Sequence, residues 1–115
     1  WNNMVNQTPL DQELAAAVKA SNDGNDGKAR VCARRAVALV AEGWLGRLRE
    51  PLWSGDAMEH LRQIQRQPSF PLPVRQAAER LSTPVPRRDA APFTTEPLAD
   101  ARVIIEYFTA GTRER

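Results

Sequence analysis

The sequence predicts an all-α chain, an antiparallel four-helix bundle with one additional short helix, and three observations lead there. Apolar side chains recur about once per helical turn in successive segments. No stretch sustains the period-two alternation of a half-buried strand, and no hairpin turn signal is present. The apolar supply is Ala, Leu, Val and Ile with only 6% aromatics, which suits close helix packing. A chain of 115 residues leaves no room for two independent cores, so one domain over residues 8–110 is expected. Residues 1–7 and 111–115 are read as flexible termini.

The first helix is predicted from Pro9 to about Ala20. Thr8 is a good N-cap, Pro9 is pre-organised for the first helical position, and Asp11 lies three residues after the cap. Leu10, Leu14, Ala17 and Val18 form its stripe. The run from Ser21 to Gly27 ends it, because Asn and Gly tolerate positive φ and nothing apolar anchors the segment. The second, central helix is expected from about Lys28 to Leu48. Cys32, Ala33, Ala36, Val37, Val40, Trp44 and Leu48 cover a broad arc, with Lys28, Arg35, Glu42 and Arg49 opposite. An arc that wide implies contact with more than one helix. Gly43 and Gly46 cost about 1 kcal/mol each relative to alanine; they mark either a close crossing or fraying before Pro51.

The third helix is predicted to start at the N-cap Ser54, with Asp56 at its positive end and Trp53 packing on Met58 as a hydrophobic staple. Met58, Leu61 and Ile64 supply a narrow buried stripe, and Pro68 closes the segment. A short fourth helix follows from about Pro73 to Leu81, carrying Val74, Ala77, Ala78 and Leu81 on one face. Ser82 to Thr94 contains Pro84, Pro86 and Pro92 and has no periodicity; Val85 and Phe93 are its candidate anchors. Thr95, Glu96 and Pro97 begin the last helix, which turns Leu98, Ala101, Ile104, Ile105 and Phe108 inward. Gly111 is its expected stop and Thr112–Arg115 a frayed tail.

Composition narrows the function classes. Sixteen basic residues against fourteen acidic give a net charge of +2, too mild to predict nucleic-acid binding from electrostatics alone. Fourteen of the sixteen are arginine. That bias suits bidentate anion recognition, but a GC-rich coding bias, with abundant Ala and Pro, explains it more simply. Cys32 cannot form an internal disulfide, and one Cys with one His makes no metal site. No metal or cofactor is expected, and a reducing, cytoplasmic compartment fits. No run approaches the ~18 apolar residues of a membrane span, so no membrane partner is expected. Trp1-Asn2-Asn3-Met4 lacks the positive region and apolar run of a signal peptide.

The local motifs mostly fail on inspection. Gly27 and Lys28 open a helix, as in a phosphate-binding loop. A P-loop, however, needs Gly where Asn22 stands and Ser or Thr where Ala29 stands. A calcium loop centred on Gly27 puts Gly24 at a ligand position and Ala33 where the bidentate Glu belongs. His60 joins no assignable triad and is expected at the surface or boundary. Cys32, on the apolar arc, reads as a small buried hydrophobe. The helices near Met58 and Val74 imitate a helix-turn-helix, but the Pro68–Pro73 connection lacks its glycine turn. Arg30 and Arg34 lie one turn apart beside the apolar arc, and Arg87 and Arg88 sit in the long connection. With Lys28 they are the candidate anion or nucleic-acid contacts. No aromatic is interleaved with them, so a solvated flank paired with Glu or Asp is the simpler expectation.

Two segments carry a family resemblance. RVCARRAVALVAEGWL, Arg30 to Leu45, resembles the second helix of HEPN-type domains, where a Cys and small residues recur on one face before a leucine-rich end. LADARVIIEYF, Leu98 to Phe108, is similar to their closing helix. Together they cover about a quarter of the chain. The resemblance implies a helical bundle, often dimeric, of a kind found near nucleotidyltransferases and in RNA-cutting toxins. The ribonuclease members carry Arg, four to six residues, then His. Here the positions upstream of His60 are Trp53, Ser54 and Gly55, so a member without nuclease chemistry is implied.

The expectation that follows is a non-catalytic helical module acting through a homodimer or another protein partner, with Trp44, Trp53 and Phe108 as interface candidates. The competing expectation is a nucleic-acid-binding or HEPN-type RNA-associated protein that uses its arginines.

Overall fold

The computed structural model describes residues 8–48 and 57–113, with side chains for 8–42 and 57–110. Five α-helices lie within them: α1 (Pro9–Asn22), α2 (Asp26–Leu48), α3 (Ala57–Arg66), α4 (Leu72–Ser82) and α5 (Pro97–Arg113). A single 3₁₀ turn, Val85–Arg87, interrupts the α4–α5 connection. The described residues contain no strand, and the chain is the all-α bundle its periodicity predicts. Among the described residues no helix is long and apolar enough to cross a membrane. Trp53, Ser54 and residues 1–7 lie outside the described residues, as does the side chain of Trp44.

Helix α1 starts as its sequence dictates. The Asp11 amide donates to Thr8 Oγ1 at 3.1 Å, and the Thr8 amide donates to Asp11 Oδ2 at 3.4 Å. These reciprocal bonds occupy two backbone donors that helix geometry leaves unused. Gly24, at φ +77°, turns the chain, and the Asn25 amide reaches back to the Ala20 carbonyl at 2.8 Å. Asn25 then caps α2, its Oδ1 accepting the Lys28 amide at 3.1 Å. The cap is Asn25 and Gly27 is already helical, so α2 begins two residues before Lys28. A connection this short makes α1 and α2 antiparallel neighbours.

Helix α2 is the central element, packed against α1, α5 and α3, as its broad apolar arc requires. It packs against α1, and the alanines Ala17 and Ala20 of α1 and Ala29, Ala33 and Ala36 of α2 are all buried. Small side chains let the two backbones approach closely. On the far side the fillers are large. Leu61 and Ile64 of α3, Val74 and Leu81 of α4, and Ile104 and Phe108 of α5 are each at most 4% exposed. Each such side chain stabilises the fold by about 1.5–3 kcal/mol through burial. Phe70, from the α3–α4 connection, meets Tyr107 and Phe108 edge-to-face at 5.6 and 5.7 Å, an arrangement worth about 0.5–1.5 kcal/mol beyond area.

Four expectations are corrected. His60 is interior, 1% exposed, because α3 is wedged between α2 and α4 and both flanks of its stripe are covered. Val85 remains exposed and anchors nothing. Helix α5 continues through Gly111 to Arg113, since glycine weakens a helix without obliging it to end. Phe108, an interface candidate, is 1% exposed within its own fold and has no area left to offer a partner.

Candidate functional site

The last turn of α4 shows how one end of the bundle is assembled. A helix leaves its final carbonyls without intrahelical partners, and here three different sources supply them. Ser82 and Thr83 hydroxyls donate to the Glu79 carbonyl at 3.1 and 2.9 Å. The Thr94 amide, returning from the long connection, donates to the Arg80 carbonyl at 3.1 Å. Arg34, from α2, donates its Nε to the Leu81 carbonyl at 2.8 Å. One arginine thereby ties the central helix to the end of another.

Arg30 lies one turn before Arg34 and is 8% exposed. Its guanidinium sits over the Phe93 ring, 4.6 Å from the centroid, so the proline-broken connection is pinned by a cation–π contact. Its Nε has no hydrogen-bond partner, and neither has Oγ1 of Thr94, the residue after Phe93. Neither Arg30 nor Arg34 forms an ion pair with a described carboxylate. Burial, and then the neighbouring charge of Arg30, pull the Arg34 guanidinium below its ordinary pKa. The negative end of α4 offsets only about half a charge. Two guanidinium charges against that leave roughly 1.5 positive charges without a counterion.

A third arginine nearby is treated differently. Arg80 grips Asp100 of α5 through Nη2 at 2.8 Å and Nε at 3.2 Å. The hydrogen bond to Asp100 raises the Arg80 pKa. Asp100 stands in the first turn of α5, where a carboxylate also meets the positive helix end.

The five cations singled out in the sequence therefore do not form one patch. Arg30 and Arg34 come together and turn inward, which corrects the solvated flank expected of them; α5 and the end of α4 cover that side of α2. Lys28 is exposed and lies two residues before Arg30, about 200° around the helix. Its own amide is taken by Asn25, so the phosphate-loop resemblance at Gly27 ends in an ordinary cap. Arg87 and Arg88 are exposed on the connection that also carries Phe93. Phe93 is legible as an anchor, a lone aromatic among prolines, but its target is not. The Arg80–Asp100 pair and the buried Thr94 leave no readable sequence signal, apart from an acid in the first turn of a helix.

The remaining chemistry-bearing groups are interior. Cys32 is 4% exposed, as its place on the apolar arc predicts. Burial, and then the charge of the Glu13 carboxylate, push its pKa upward. His60 places Nε2 3.6 Å from Glu42 Oε2, bridging α3 to α2. No family model, curated protein or solved structure matches the chain.

Proposed function

We propose that this domain is a non-catalytic helical module that acts by associating with itself or with another protein. The observation that supports it best is the position of the two potentially reactive side chains. Cys32 is 4% and His60 1% exposed. A raised thiol pKa also keeps Cys32 in its less nucleophilic form. Recognition then falls to the outer faces, where Val18, Val31, Leu72, Val85 and Val103 stand 37–54% exposed among charged residues. The likeness of Arg30–Leu45 to HEPN-type domains accords with this reading, as a member without nuclease chemistry.

Light scattering coupled to size exclusion tests the self-association form. A mass near twice 12.8 kDa at tens of micromolar is expected, and a strict monomer throughout that range removes it. A second reading, nucleic-acid binding, is favoured by the exposure of Arg87 and Arg88 on the α4–α5 connection. It requires affinity that falls steeply with salt through counterion release; binding that is flat in salt dismisses it.

A further inference from the structure

We propose that Arg30 and Arg34 form a binding site for a phosphate-type dianion at the junction of α2, the end of α4 and the Phe93–Thr94 segment. Helix capping accounts for Arg34 alone, and for only one of its donors: Nε is committed to the Leu81 carbonyl, while the terminal Nη groups have no described partner. Capping does not account for Arg30. It is only 8% exposed, and its Nε lacks a hydrogen-bond partner. A buried donor left unsatisfied is destabilising, the more so when the group is charged. An oxyanion supplies both missing things, an acceptor and a counter-charge.

Charge and shape select the ligand class. The excess of roughly 1.5 positive charges matches a phosphate group, which carries about −1.5 to −2 at neutral pH. A carboxylate balances less of it. Two guanidinium forks on one helix face, about 5–6 Å apart at their Cβ atoms, suit a tetrahedral group with several acceptor oxygens. The stacking of Arg30 on Phe93 fixes its fork in advance, and the Leu81 bond does the same for Arg34. Thr94, the residue after Phe93, adds a buried hydroxyl without a hydrogen-bond partner. This site stands apart from the association reading: either one survives the loss of the other.

The test is a ¹⁵N NMR titration of the arginine Nε–Hε signals with inorganic phosphate, at constant ionic strength. Saturable shifts at Arg30 and Arg34 are expected, with Arg87 and Arg88 shifting only linearly. Acetate is expected to bind at least about tenfold more weakly. Phosphate at ten times its Kd is expected to raise the melting temperature by about 4 °C or more. Phe93→Leu, which keeps both charges and releases Arg30, is expected to weaken phosphate several-fold while the fold persists. Arg34→Gln is expected to abolish saturation. Phenyl phosphate binding more tightly than inorganic phosphate assigns the site to a phosphoryl group on a larger molecule; weaker binding assigns it to the free ion. Linear shifts at all four arginines, or equal affinity for acetate, overturn the proposal.

Discussion

The two ends of α5 solve opposite problems. Towards its C-terminal end Phe108 and Tyr107 meet Phe70 in an edge-to-face cluster with ring centroids 5.6–5.7 Å apart. The contribution there is area and shape. At its N-terminal end the same helix contributes Asp100, held by Arg80, while Arg30 and Arg34 stand close by without a carboxylate. One end is fully matched. The other carries an uncompensated charge that the matched end must outweigh, a pattern common where structure serves recognition.

The largest expected effect lies at the aromatic end. Phe108→Ala should cost about 3–5 kcal/mol, through lost transfer energy and an incompletely collapsed cavity. Urea unfolding followed by circular dichroism reads this directly. A loss below about 1 kcal/mol, with a changed oligomeric state, would return Phe108 to an interface and erase the contrast.

At the other end, Asp100→Ala turns the matched arginine into an unmatched one. Arg80 keeps 38% of its side chain in water, so screening limits the penalty to about 1–2 kcal/mol. A double-mutant cycle with Arg80→Met isolates the pair. A coupling indistinguishable from zero means that the bidentate geometry contributes nothing. Arg30→Met should behave in the opposite sense, leaving stability within about 1 kcal/mol of the parent or raising it, because an apolar chain of similar length keeps contact with Phe93 and removes a buried charge. A loss of 2 kcal/mol or more would show that Arg30 is a structural clamp, and that the two arginine sites do not differ in kind.

The contrast between the ends also explains what was legible in the sequence. The stripes Leu61–Ile64, Val74–Leu81 and Ala101–Phe108 declare their buried faces through helical spacing, and Thr8–Asp11 declares its cap, because both are local signals. The arginine end is made of encounters between segments remote in the chain: a guanidinium on a carbonyl 47 residues away, another over a ring in a proline-broken connection. Arg30 and Arg34 sit at the margin of the α2 arc, where the sequence leaves inside and outside equally open. His60 reads as a boundary residue for the same reason, yet it is buried. The width of a buried face is decided by how many neighbours a helix has, and no single helix encodes that.

Cys32 gives the smallest effect and the cleanest sign. Burial and the Glu13 carboxylate raise its pKa in the folded state, so folding favours the protonated thiol. That contribution is fully present below the pKa of the unfolded thiol and is lost as pH rises through the higher folded value. Cys32→Ala removes the titration and leaves every other group in place, so the difference between parent and variant isolates it. The parent's advantage in urea midpoint should hold steady from pH 6 to about pH 8, below the ordinary thiol range, and then shrink at higher pH. Alkylation at pH 8 should be slow in the native state and accelerate only with unfolding. A constant difference across the whole pH range, or prompt native labelling, would mean that the thiol reaches solvent through the α1–α2 seam, and that the alanine packing there is looser than the large-residue packing around Phe108.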